Sequence, residues 1–285
     1  MPMRLFMKSV YALLVLAILC TALLLSYFFN FPFDMRDRGY LYQARTIVTG
    51  QRDATRIPGF ERCIEDVVKK LSGDQTITSA EVLGALAEKP QDYVKEFSDH
   101  DRMADIPIHD EQGTRDRPFD LLVSFHPAKI DTLLQALGRK AWTTQRPTIA
   151  VFLTIENGTN SYLLTGDEER GFDQRDSFIA AAWQAGIPMV LPTSASLNEA
   201  GLTPETVLTK TQTDLDHVAR TNKGDLVLTG SIVWNSGMLG WKGDWQLLTG
   251  ETLHRWQIRD VNFDDAFRSA MRGTAQILSG HGDPP

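Results

Sequence analysis

At 285 residues, with 42% hydrophobic and 23% charged positions, the chain has the composition of an ordinary folded protein and the length for one large domain or two small ones. Its formal charge is −7, and beyond Arg4 and Lys8 it carries 27 bases against 36 acids. A surface of that sign repels phosphate backbones, whose binding needs clustered Lys and Arg to displace counterions, so nucleic acid is not an expected partner.

The N-terminus carries the strongest signal. Between Lys8 and Asp34 run 25 residues without a formal charge, SVYALLVLAILCTALLLSYFFNFPF. As a helix they reach roughly 37 Å at about 1.5 Å per residue, more than the ~30 Å hydrocarbon core of a bilayer. Arg4 and Lys8 precede the segment, which keeps the N-terminus cytoplasmic and sends the following domain across. Tyr27, Phe28, Phe29, Phe31 and Phe33 form an interfacial aromatic belt at its far end. A cleaved leader has a shorter apolar region and small residues at its exit, whereas this run is long and leaves through Ser26-Tyr27-Phe28-Phe29. Lipidation at Cys20 is disfavoured by Leu19 and by the apolar run that continues from Thr21 to Leu25. The expectation is a single-pass inner-membrane anchor, with secretion to the periplasm after cleavage as the alternative. Residues 1–33 are then the anchor, 34–39 a juxtamembrane linker, 40–280 one soluble α/β domain and 281–285 a flexible tail.

In the soluble part, Leu41–Val48 reads as a strand. Phe60, Cys63, Ile64, Val67, Val68 and Leu71 share one face of a helix that stops before Ser72-Gly73. Helices are predicted over Ser79–Ala87, with Ser79 as N-cap, and over Gln91–Phe97 after Pro90. The polar stretch Asp99–Arg117 reads as a loop. Phe119–Phe125 is a strand, and Pro127 opens a helix that stops at Gly138. Thr148–Ile155, TIAVFLTI, is apolar enough for a strand covered on both faces, and Asn157-Gly158 supplies a hairpin turn before SYLLT. A helix over Ser177–Ala185, a short strand Pro188–Leu191 and a longer helix Pro204–Arg220 follow. Asp225–Trp234, Trp241–Leu248 and Thr252–Ile258 suggest an antiparallel meander, closed by a helix over Asp264–Leu278. The fold class is α/β of the mixed α+β kind: one soluble domain with a C-terminal antiparallel meander and closing helix.

No catalytic motif stands out. His100, His109, His126, His217, His254 and His281 include no pair at zinc-helix spacing, so neither a metal nor any other cofactor is expected. Asp99 and Asp101 flank His100, a combination able to relay protons but more often a solvated loop. There is no GxSxG elbow, Walker loop or GxGxxG; Ser231 sits in a strand pattern, and the sequon Asn157-Gly158-Thr159 in a hairpin turn. Cys63, the one cysteine beyond the apolar segment, lies mid-helix as a small hydrophobe. Trp234, Trp241, Trp245 and Trp256 are the constellation with binding potential. Trp241 and Trp245 share a strand face, and half-exposed indoles suit a partner's apolar anchors or sugar rings, although core packing is the commoner use.

The blocks FDLLVSFHPAKIDTLLQALGRKAW, RPTIAVFLTIENG, GIPMVLP and GDLVLTGSIVWNSGMLGWKGDWQLL resemble, in this order, the bacterial envelope family catalogued as domain of unknown function 2066, from about Leu41 to Leu278. The likeness rests on a helix ending in Lys70-Leu71-Ser72-Gly73, on Trp142 before Arg146-Pro147, and on a late Gly-Trp meander at Gly240, Trp241 and Trp245. These are packing motifs, so the resemblance implies an exported domain without an assigned activity. GDLVLTGSI with its meander and helix is also similar to envelope lipoproteins of curli secretion, to outer-membrane activators of peptidoglycan synthases and to the N-terminal module of the Tol propeller protein, which bind proteins.

Two functions are expected from these readings. The favoured one is a non-enzymatic envelope interaction or assembly factor using the meander surface. The other is an envelope-polymer hydrolase or transferase using convergent carboxylates, Asp120 or Asp225 among them. The topology makes a direct prediction: a reporter fused after Pro285 is active only outside the cytoplasm, and the membrane fraction retains the full-length chain. Cytoplasmic reporter activity rejects the orientation, and a mature N-terminus near residue 30 rejects the anchor.

Overall fold

The computed structural model describes residues 38–106 and 116–284, which belong to one compact unit beginning at Arg38. The predicted membrane helix and His109 lie outside the described residues. Among those described, no helix is long and apolar enough to cross a membrane.

A 3₁₀ turn over Arg38–Tyr42 leads into β1 (Gln43–Thr49), α1 (Asp53–Ser72) and α2 (Ser79–Ala85). A second 3₁₀ turn over Pro90–Tyr93 precedes β2 (Val94–Asp101), β3 (Pro118–Phe125) and α3 (Pro127–Ala136). β1, β3 and β2 form an antiparallel sheet in that order. α1 lays its apolar face on it, with Phe60, Cys63, Ile64, Val67, Val68 and Leu71 all buried. The helix ends where Gly73 takes the left-handed conformation and its N–H bonds to the Lys69 carbonyl. The N-cap of α2 is Thr78, one residue before the expected Ser79: its hydroxyl accepts from the Glu81 N–H while the Glu81 carboxylate accepts from the Thr78 N–H at 2.7 Å.

The second sheet has the order β5-β4-β7-β8-β9, with β6 also paired to β4. Its strands are β4 (Ile149–Asn157), β5 (Asn160–Leu163), β6 (Met189–Val190), β7 (Leu226–Asn235), β8 (Gly240–Thr249) and β9 (Thr252–Val261). β4 and β7 run parallel, while β7, β8 and β9 form the antiparallel meander. The helices are α4 (Phe172–Ala185), α5 (Ser194–Glu199), α6 (Pro204–Val207), α7 (Gln212–Thr221) and α8 (Phe263–Leu278). On one face of the sheet, Val151, Leu153, Leu228 and Ile232 pack with Phe178 of α4 and Phe267 and Met271 of α8. On the other, Ala150, Phe152 and Val227 pack with Leu197, Val207, Leu215 and Val218. This double cover is why β4 reads as a continuous apolar run.

Three expectations change. Gln91–Phe97 and the start of the polar loop are a 3₁₀ turn and β2, an edge strand whose core-facing positions hold Phe97, Asp99 and Asp101. Asp99 meets Arg56 at 2.8 Å, Asp101 meets Arg117 at 3.2 Å, and Phe97 packs edge-on against Phe60. Paired carboxylates in inward positions hide the apolar alternation by which strands are recognised. The helix expected over Pro204–Arg220 is split, because Thr211 caps a fresh start with Asp214 in a capping box. α5, a single short helix capped by Thr193, is too short to show a helical period in the sequence.

The two sheets meet at a buried cation pair. Arg146 donates to the carbonyls of Gly186 (2.8 Å) and Ala185 (3.4 Å) at the end of α4 and of Lys70 (2.6 Å) near the end of α1, and its guanidinium stacks 4.3 Å above the Trp142 ring. The Trp142 backbone N–H bonds to the Leu71 carbonyl, and the Tyr40 hydroxyl bonds to that of Gly186. Lys70 reaches the Gln43 carbonyl at 2.8 Å and lies 3.9 Å from the Trp183 ring centroid. Burial nevertheless dominates and pushes its ammonium down to about 7.

This burial has a consequence for stability. Above about pH 7 the folded chain has released the Lys70 proton, while the unfolded chain holds it up to the ordinary lysine value of 10.5. The unfolded state then binds more protons, and stability rises with pH. Above the ordinary thiol value of 9.0, burial of Cys63 opposes the trend by pushing its thiol up, so pH 7 to 9 is the clean window. In residues 38–285, denaturant unfolding at pH 7 and 8.5 should show stability rising by about 1 kcal/mol per pH unit. Lys70→Met should remove most of that slope, and an unchanged slope in the variant would show that Lys70 is not its source.

Candidate functional site

The meander brings the four tryptophans together in two cross-strand pairs, Trp234 with Trp241 and Trp245 with Trp256. All four point to the face covered by α4 and α8. Trp245 is 1% exposed, Trp256 6% and Trp241 8%, while Trp234 is half-buried against the same core. A recognition patch made of these indoles is therefore corrected: helices cover the face on which it would lie. Close packing against glycine holds two of them. A Cβ on Gly230 would come within 2.2 Å of the Trp245 ring, and one on Gly273 within 2.6 Å of Trp256. Trp245 also meets Phe178 edge-on at 5.9 Å.

What the meander does expose is its β7–β8 tip. The strands close with Trp234 opposite Trp241 and Asn235 opposite Gly240, and those two indoles meet edge-on at 5.4 Å directly beneath the loop. Asn235 starts the turn, its Oδ1 accepting from the N–H groups of Gly237 (3.0 Å) and Met238 (3.3 Å). Leu239 is held at φ +52°, a left-handed conformation that costs a branched side chain on the order of 1–2 kcal/mol. The base of the turn is tight, since a Cβ on Gly240 would lie 2.8 Å from the Asp260 backbone, where an extra residue bulges β9. Met238 and Leu239 stand 61% and 77% exposed. From Asn235 to Trp241 the loop carries no charge, and Lys242 follows.

The tip has neighbours of the same kind. β4 and β7 run parallel and end together, and β9 ends beside the start of β8. α8 therefore begins at this end, and the Ser177 hydroxyl bonds to Asp264 in its first turn. α4 also starts here, with Phe172 55% exposed. The chain enters at the other end of the sheet, where Tyr40 meets Gly186, about 30 Å away at roughly 3.3 Å per strand residue.

The candidate chemical residues do not converge. Alternation along β2 turns His100 outward, opposite Asp120 of β3, while Asp99 and Asp101 turn inward to Arg56 and Arg117. Asp120 pairs loosely with Arg102 at 3.7 Å. Asp225 accepts from the Thr148 N–H at 2.7 Å at the start of β7, on the other sheet. Ser231 lies in β7, as its pattern suggested. The β4–β5 turn is Gly158-Thr159, one residue later than expected, with Asn157 paired opposite Asn160 and Gly158 in the left-handed conformation. Among the described residues no group of His, Cys, Asp and Glu is placed to hold a metal ion.

One relay-like arrangement escaped the sequence reading because it joins distant positions. His254 Nε2 lies 2.8 Å from the Thr249 hydroxyl, and His254 Nδ1 contacts the Asp283 carboxylate. Asp283 stands in solvent at the end of the chain, and its carbonyl also accepts from Gln276. The arrangement fastens residues 281–283, read above as a flexible tail, against the β8–β9 turn.

Residues 37–143 match a family model described as Domain of unknown function (DUF8605). This is a different model from the family that the sequence blocks resemble. It covers the three-stranded sheet with its helices and ends at the Trp142 clasp, leaving the meander and its tip outside. No curated protein matches the chain.

The geometry separates core from tip by experiment. Trp245→Ala should cost about 3–5 kcal/mol of stability. Leu239→Gly should instead raise stability by up to about 1 kcal/mol, because glycine adopts the left-handed conformation without strain. Thermal unfolding of residues 38–285 measures both, and a destabilising Leu239→Gly would remove the argument for strain at the tip.

Proposed function

We propose that this protein is a non-enzymatic interaction or assembly factor of the bacterial cell envelope, held in the inner membrane by residues 9–33 with its folded domain in the periplasm. Its contact with a protein partner is the β7–β8 tip. The observation that carries this reading is the exposed Met238-Leu239 pair on a rigid platform, with Leu239 in a conformation that folding alone does not reward. Strained backbone conformations cluster at contact and switch sites. Exposed branched and thioether side chains, backed by a tryptophan pair, suit insertion into an apolar pocket of a partner.

The test is crosslinking in native membranes from a photoreactive residue placed at Met238 of the full-length chain. One stoichiometric protein adduct is expected, and it should be lost in Leu239→Gly although that variant is at least as stable. Adducts with lipid alone would reassign the tip to a membrane surface. A protein adduct unaffected by Leu239→Gly would remove the tip from the interface.

A further inference from the structure

β5 forms one edge of the six-stranded sheet and pairs only with β4. In an antiparallel ladder, alternate residues turn their backbone groups toward the partner strand. The Leu164 N–H bonds to the Leu153 carbonyl at 2.9 Å, and Tyr162 stands opposite Ile155. Leu164, Tyr162 and Asn160 therefore face β4, while Ser161 and Leu163 turn their N–H and C=O groups away from it. β6 shares this side of β4 but pairs only at Ile149 and Ala150, so it does not cover β5. Among the described residues, none donates to or accepts from the outward backbone groups of Ser161 and Leu163.

Exposed sheet edges are usually protected by charged side chains. β1 carries Arg45, β2 carries Lys95, Glu96 and Asp101, and β9 carries Arg255 and Arg259 together with its bulge. β5, Asn160-Ser161-Tyr162-Leu163, carries no charge. It forms instead one wall of a cleft of about 280 Å³, with buried Leu197 and Leu202 below and Asn198 and Glu168 at the rim.

We infer that this cleft takes an extended peptide segment of another protein, which pairs with β5 as an added strand. Ser161 and Leu163 supply the main-chain hydrogen bonds, and Leu197 and Leu202 receive one small apolar side chain. The Glu168 carboxylate at the rim favours a Lys or Arg in the segment. The inference stands apart from the tip, because the two surfaces lie on different strands and fail in different variants.

Selection of random heptapeptides displayed on phage against the full-length chain, with counter-selection on Ser161→Pro, tests it. Proline removes the outward N–H of Ser161 and leaves the bonds to β4 in place. Enriched peptides should alternate small apolar and polar residues and carry a Lys or Arg. By fluorescence anisotropy, binding of the best synthetic peptide should weaken at least about tenfold in Ser161→Pro. N-methylation of its alternate amides should weaken binding to the unaltered chain equally, a measurement independent of whether the proline variant folds. Ser161→Pro should leave the Met238 crosslink unchanged. The inference is overturned if no peptide survives counter-selection, or if N-methylated and plain peptides bind alike. It is overturned too if the unaltered chain is a dimer that Ser161→Pro converts to monomer, for the occupant is then a second copy.

Discussion

The architecture depends on one buried guanidinium. The ends of α1 and α4 converge, and each presents carbonyls that no further turn of helix satisfies. Brought together in a dry interior, these negative helix ends would repel one another. Arg146 meets both at once, stacking on Trp142 and donating to Lys70, Ala185 and Gly186. The three-stranded sheet is carried on α1 and the six-stranded sheet on α4, so this contact sets how the halves of the domain meet. Lys70 repeats the device for the carbonyls that lead into β1. Asp66, one turn earlier in α1, holds Gln184 of α4 at 3.0 Å, and the same burial raises its carboxyl above the ordinary range. Removal of Arg146 would leave two helix ends unsatisfied, a larger cost than loss of a surface ion pair.

The core of the second sheet is built around tryptophan. Indoles set close against Gly230 and Gly273 fill the space between the meander and its two helices. A platform packed in this way can hold a strained loop at its end, which a looser hairpin would relax. The same chemistry thus serves opposite purposes within a few residues: Trp241 is buried to stabilise, while Leu239 stays exposed at an energetic cost.

Period-two alternation disperses what adjacency suggests. Asp99, His100 and Asp101 are consecutive in the chain and lie on opposite faces of a sheet, two of them engaged with arginines. Thr249, His254 and Asp283, spread over 35 positions, come into hydrogen-bonding contact because a hairpin and the chain end are adjacent in space.

By itself the sequence determined the elements whose side-chain period is undisguised. These include the apolar face of α1 and its glycine stop, the doubly covered β4, the hairpin that follows it to within one residue, the three meander strands and the closing helix. It also singled out the late tryptophans as the one constellation able to form a binding surface, with core packing as the commoner use of such residues. Periodicity, however, says which residues share a face and not what covers that face, so the tryptophans read as a core or as a patch, the core being the commoner use. Only tertiary structure decided the matter, by placing α4 and α8 over them. It also made Arg146 the joint between two helix ends, put β2 where paired carboxylates masked a strand, and left Met238, Leu239 and the edge of β5 exposed. Each of these depends on contacts between residues distant in the chain, whose burial is a property of the assembled fold and of no local pattern.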